Sequence, residues 1–187
     1  MNNHQTDNSF LQDKIALRIN HLPDKKIILV LDCFGGNGKV WDAISKQIDK
    51  KILIIRLEKK DKKGIFLKGD NIKFLMQMDL SKYDIIDLDA YGVPFNQLEI
   101  ILNSDKLINC TVFVTFIQSQ YGTLPQSMLN KLGYTKAMIQ KCPTLFNKNG
   151  FEKIKAYLGL FSIKTIYHRS TNRKHYFCIK KKNRTWE

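Results

Sequence analysis

Carboxylates are in short supply in this 187-residue chain: 17 Asp and Glu stand against 31 Lys and Arg, a formal net charge of +14. A surface so poor in negative charge attracts polyanions and speeds their encounter, with nucleic acid the first candidate. A lysine-rich proteome would leave the same surplus as a merely solvated surface. Cysteine is sparse too. Cys33, Cys110, Cys142 and Cys178 are far apart and form no Cys-x-x-Cys pair. That argues against a disulfide framework or structural zinc and for buried, reduced thiols. No apolar run approaches the ~20 residues that cross a bilayer. Residues 1–9 are polar and lack the hydrophobic segment of a secretory signal, so a cytoplasmic location is expected. There is no Ser/His/Asp triad and no His-Cys-Glu metal spacing, and the four scattered histidines are expected on the surface. With no internal repeat and no linker, one domain over 1–187 is expected, residues 1–24 forming an N-terminal helical extension.

What is present is an alternation of helices and strands. Phe10, Leu11, Ile15, Ile19 and Leu22 have roughly helical spacing over 10–21. Short continuous apolar runs at 27–31 and 52–55 read as strands buried on both faces. Weaker or mixed runs place further strands at 65–67, 83–88 and 111–117. Helices are expected at 39–48, 71–80 and 95–102. This order predicts a doubly wound α/β sheet with right-handed crossovers. Residues 151–160 then form a helix. Segments 161–168 and 174–181 are separated by Ser170-Thr171-Asn172-Arg173, a connection so short that they must pair antiparallel.

The first strand runs into Asp32-Cys33-Phe34-Gly35-Gly36-Asn37-Gly38-Lys39 and then a helix. Glycines at that junction let backbone approach a ligand at a helix N-terminus. Dinucleotide-binding turns place a third small residue three positions after the second glycine. Here that position is Trp41, which disfavours a pyrophosphate and with it an NAD-dependent oxidoreductase. The carboxylate of Asp32 also repels pyrophosphate but suits an ammonium or sulfonium group. Asp32-x-Phe34-x-Gly36-x-Gly38 resembles the first motif of the class I S-adenosylmethionine-dependent methyltransferases, in the form found among enzymes that methylate exocyclic amines of DNA and RNA. The resemblance implies a Rossmann-like mixed sheet completed by a C-terminal antiparallel hairpin. It also implies S-adenosyl-L-methionine as cofactor, its methionine part wrapped by this turn.

Glu58 ends the second strand twenty residues after Gly38, where an acid hydrogen-bonds ribose hydroxyls in nicotinamide and methyl-donor sites alike. Gly69-Asp70-Asn71 follows the third strand. An ionised Asp is acceptor-only and can select an amino edge, the role that the resemblance gives Asp70 toward adenine. Asp70 is equally suited to capping the next helix.

Asp87 and Asp89 lie on one face at the end of an otherwise apolar strand, and buried carboxylates need partners. Amine methyltransferases carry Asp/Asn-Pro-Pro-Tyr/Phe at this place. Asp87-Leu88-Asp89-Ala90-Tyr91-Gly92-Val93-Pro94 is similar to the Asp-x-Asp-Pro-Tyr/Phe-Gly of the tRNA guanine N2-dimethyltransferase family, with Ala90 in place of proline. The likeness covers residues 27–117, without that family's large C-terminal domain. It implies Asp89, Ala90 and Tyr91 as the catalytic segment, Asp89 holding the amine and sharing its proton while Tyr91 stacks on the base. Asp87, Gly92 and the basic run Lys180, Lys181 and Lys182 are expected to contact substrate, with Ser119-Gln120-Tyr121-Gly122 also near the pocket. The expected substrate is nucleic acid, RNA ahead of DNA, modified at a base amine. Two alternatives stay open: a protein or small-molecule substrate, and a silent methyltransferase fold that binds nucleic acid.

Overall fold

A computed structural model describes residues 10–59, 66–104, 110–117, 124–144, 150–161, 163–170 and 174–181. Within these, one sheet holds seven strands: β1 (Ile27–Asp32), β2 (Lys51–Glu58), β3 (Phe66–Lys68), β4 (Ile85–Asp89), β5 (Thr111–Ile117), β6 (Ile163–Ser170) and β7 (Lys174–Lys181). Their order is β3-β2-β1-β4-β5-β7-β6. The first five run parallel, and β7 is antiparallel to both β5 and β6. The predicted doubly wound mixed sheet and its C-terminal antiparallel pair are therefore present.

The helices are α1 (Leu11–Asn20), α2 (Lys39–Ser45), α3 (Asn71–Gln77), α4 (Phe95–Leu102), α5 (Gln126–Lys131), α6 (Lys136–Lys141) and α7 (Gly150–Leu158). Because side chains alternate along a strand, each central strand feeds two cores. On one face, Ile28, Val30, Ile85 and Phe113 pack with Ile15 and Leu17 of α1 and Trp41 and Ile44 of α2. On the other, Leu31, Ile86, Leu88 and Val114 meet Leu75 of α3, Leu98 and Ile101 of α4, Met128 of α5 and Ile154 of α7. Burial on both faces is why these strands read as unbroken apolar runs. Helix α1 is thus built into the sheet's own covering layer.

Three details differ from the sequence reading. Helices α5 and α6, which connect β5 to α7, were not expected; each is only six residues long, too short for a periodic pattern to emerge. His175 is buried rather than on the surface, because β7 is an interior strand. It stacks on Phe151 with ring centroids 5.3 Å apart, and burial pushes its pKa down to about 4. Cys33, Cys110 and Cys178 are buried free thiols as expected, but Cys142 is exposed. Among the described residues no helix is long and apolar enough to cross a membrane.

The strand order reverses between β1 and β4. Crossovers leave in opposite directions there, which opens a crevice at the carboxyl ends of these strands.

Candidate functional site

The loop after β1 is shaped by its glycines. Gly36 and Gly38 have φ of 48° and 70°, a left-handed conformation costly for residues with a Cβ. Gly38 is also the N-cap of α2, and a Cβ there would sit 2.9 Å from the Arg56 guanidinium, which pairs with Asp42. The Gly38 N–H donates to the Gly35 carbonyl at 2.8 Å and the Gly35 N–H to the Leu57 carbonyl at 3.1 Å, closing the loop onto the end of β2.

Beneath the loop lies a cluster of buried charges. Asp32 and Asp87 are register partners on adjacent strands, so two carboxylates sit side by side, one strand spacing apart. Helix α1 supplies the compensation. Arg18 grips Asp87 with two hydrogen bonds, Nε to Oδ2 at 2.7 Å and Nη2 to Oδ1 at 2.6 Å. The Trp41 indole donates to the same Oδ2 at 2.7 Å. Burial alone would lower the Arg18 pKa, but the Asp87 and Asp89 carboxylates outweigh it and raise it. Among the described residues, Asp32 keeps a single hydrogen bond, from the Phe34 N–H at 3.2 Å. Burial and the neighbouring Asp87 push its pKa up to about 8. Lys14, one turn before Arg18, places its ammonium 2.8 Å from Asp89 Oδ1. Burial would raise the Asp89 pKa, yet the Arg18 and Lys14 charges and hydrogen bonds from Lys14 and Thr115 hold it below the ordinary value.

Two cavities open around this cluster. The larger, about 470 Å³, has Glu58, Asp70 and Asn71 on one side and Asp89 and Tyr91 on the other. The smaller, about 60 Å³, lies between Lys14, Asp32 and the glycine loop; Phe34, Gly36 and Asp89 line both. Glu58 Oε2 accepts from the Gly36 N–H at 3.2 Å, which ties β2 to the loop. Asp70 caps α3, its Oδ1 accepting from the Ile72 N–H at 2.9 Å. Asn71 donates to the Cys33 carbonyl and accepts from Gln97, both at 2.9 Å. Tyr91 is 71% exposed at the cavity mouth, and Ala90 is buried below it. The Gly92 carbonyl accepts from the Ile117 N–H at 2.7 Å, pinning this loop to β5.

The structure therefore brings Asp32, Phe34, Gly36, Gly38, Glu58, Asp70, Asn71, Asp89, Ala90, Tyr91 and Gly92 to one edge. Asp87 lies under the pocket, its carboxylate saturated by Arg18 and Trp41. The basic run is elsewhere: Lys180 pairs with Thr111, where β5 begins, whereas Asp89 pairs with Thr115 further along. Because β7 runs antiparallel, its lysine end points to the opposite edge of the sheet. Lys182 and residues 118–123, with Ser119-Gln120-Tyr121-Gly122, lie outside the described residues. Sequence reasoning missed Lys14, Arg18, Gln97 and Thr115. For the first two a signal existed: Lys14, Ile15 and Arg18 share one buried face of α1, and cations in an apolar stripe mark unseen acids.

No family model matches the sequence, and no curated protein does. Solved structures do. An S-adenosylmethionine-dependent methyltransferase from Archaeoglobus fulgidus superposes with a TM-score of 0.53 at 14% identity, over 91% of this chain and 94% of that one. A precorrin-6y C5,15-methyltransferase from Geobacter metallireducens gives 0.51 at 10% identity, over 98% and 93%. The chain shares the Rossmann-like mixed α/β fold of these methyltransferases.

Proposed function

We propose that the chain is an S-adenosylmethionine-dependent methyltransferase acting on a base amine in nucleic acid, RNA ahead of DNA, by chemistry like that of the tRNA guanine N2-dimethyltransferases. The observation that carries this is convergence: the glycine loop, Glu58, Asp70 and Asp89 line one cavity of about 470 Å³ at the carboxyl edge, within the usual range for a small-molecule site.

The residues fit the cofactor. Gly36, in a left-handed conformation, lines both cavities and brings bare backbone to the ligand space. The carboxylates of Glu58 and Asp70 line the cavity, acceptors of the kind that suit ribose hydroxyls and an adenine amino group. Asp32 offers a carboxyl to a cationic group. Bound there, S-adenosylmethionine supplies an electrophilic methyl group. The chain's own contribution is positioning. Asp89, held ionised, accepts a hydrogen bond from the target amine; its low pKa makes it an orienting acceptor rather than the proton's final base. Tyr91 presents an exposed ring on which a base can stack. Since Lys14 already occupies Asp89 Oδ1, the amine must share or displace that contact. This pair and Ala90 also favour a second reading, a silent methyltransferase fold that binds nucleic acid.

A tritiated-methyl transfer assay against total tRNA, rRNA, DNA and protein decides between these. Transfer to RNA is expected. Transfer to protein alone, or none despite cofactor binding, overturns the proposal. For the cofactor itself, Glu58→Ala is expected to weaken S-adenosylhomocysteine about 10- to 100-fold by calorimetry, because an ionised acceptor is lost. NAD binding in its place would defeat the assignment.

Asp32 adds a pH dependence. Its carboxyl is protonated in the free protein below about 8, while a cationic ligand favours the ionised form. Binding should therefore release a proton. Cofactor affinity is expected to rise with pH by up to about tenfold per unit and to level off above 8. Asp32→Asn should flatten that profile, and a profile identical to wild type would remove Asp32 from the site.

A further inference from the structure

The lysine run that misses the pocket belongs to a larger arrangement. At the sheet's amino edge, Lys25 and Lys26 precede β1, Lys50 precedes and Lys51 opens β2, and Lys82 stands just ahead of β4. Lys164 near the start of β6 and Lys180 near the end of antiparallel β7 reach the same edge. Carboxylates there are fewer: Asp24, Asp49, Asp79 and Asp84. Lys25 pairs with Asp84 at 2.5 Å and Lys50 lies 3.5 Å from Asp24. Lys26, Lys51, Lys82, Lys164 and Lys180 have no carboxylate partner among the described residues. Lys164 and Lys180 are direct cross-strand partners, a like-charge pairing that costs stability unless an anion sits between them. At the pocket edge Lys14, Arg18 and Arg56 are each paired, with Asp89, Asp87 and Asp42.

We infer that this amino edge is a docking surface for the phosphate backbone of a single-stranded nucleic acid, on the side of the sheet away from the cavity. The row follows the sheet from β2 to β6. At one strand spacing of ~4.8 Å per step it spans about 24 Å. Lysines along one edge, on β2, β1, β4, β7 and β6 with none described at β5, suit a linear polyanion better than the irregular carboxylates of an acidic protein surface. Its cations are lysines, point charges that hold phosphate without reading bases, so the surface grips the strand and leaves sequence choice to other contacts. This inference does not depend on methyl transfer.

The test measures binding of a fluorescent 20-nucleotide RNA, and of DNA of the same sequence, to the full chain across a salt series. Neutralising Lys26, Lys51, Lys164 and Lys180 together to Gln should weaken binding at low salt at least about tenfold. The log–log salt slope should fall by about 3, near 0.7 for each phosphate no longer neutralised. RNA and DNA should respond alike if the backbone is what is gripped; weakening for one alone would show a sugar- or base-specific interaction and overturn it. S-adenosylhomocysteine affinity should not change, which separates this surface from the pocket. Lys68→Gln/Lys73→Gln, at the pocket edge, should leave strand binding within about twofold. Equal or greater weakening from that pair would overturn the inference. So would a wild-type chain that ignores both nucleic acids and binds polyglutamate instead.

Discussion

Replacing Asp89 with alanine is expected to abolish methyl transfer, a fall of at least ~10²-fold, while S-adenosylhomocysteine affinity stays within about twofold. The two readouts separate because Asp89 sits at the junction of the two cavities, whereas Glu58 and Asp70 line only the larger one. Its carboxylate is held ionised: burial opposes the charge, and the Arg18 and Lys14 cations overcome it. A group so held accepts hydrogen bonds well and takes protons poorly. Asp89→Asn is therefore the informative partner. It keeps a carbonyl acceptor and should retain a measurable part of the rate. A general base at this position would make the Asn variant as inactive as the Ala variant, with a pH–rate profile that loses its acidic limb. Full turnover by Asp89→Ala would place the chemistry on another residue.

Much of this site was legible in the sequence because backbone geometry decides it. A glycine loop after the first apolar strand, and acids at the ends of later strands, must meet at the carboxyl edge once the sheet is parallel. Their spacing fixes who arrives there. What was not legible is pairing across the sheet's layers. Asp87 and Asp89 share a face, so their different fates depend on a helix about seventy residues earlier. Arg18 takes Asp87 and leaves Asp89 to Lys14. Lys180 and Lys181 failed as pocket residues for a related reason. A basic run has no direction by itself, and only the antiparallel register of β7 against β5 assigns it to the far edge. Helices α5 and α6 are too short to announce themselves by period.

The largest stability effect is expected at Arg18, which touches no ligand. Arg18→Met keeps the apolar stem but removes both hydrogen bonds to Asp87, a carboxylate 1% exposed beside Asp32. An unpartnered charge left in such a place costs ~3–5 kcal/mol. At about 2–4 °C per kcal/mol for a chain of this size, Tm should fall by on the order of 10 °C. The deficit should depend on pH. Without the guanidinium, Asp87 titrates higher in the folded than in the unfolded chain, so the folded state binds the extra proton and stability declines as pH rises. The variant should therefore lie closer to wild type at pH 5 than at pH 8. Arg18→Met/Asp87→Leu removes both charges and should recover most of the deficit. It should fall short by ~1–3 kcal/mol, because the buried Trp41 indole N–H then lacks its acceptor. A single Arg18→Met variant as stable as wild type at pH 8 would mean that the carboxylates do not need α1, and that the helix contributes only its apolar face.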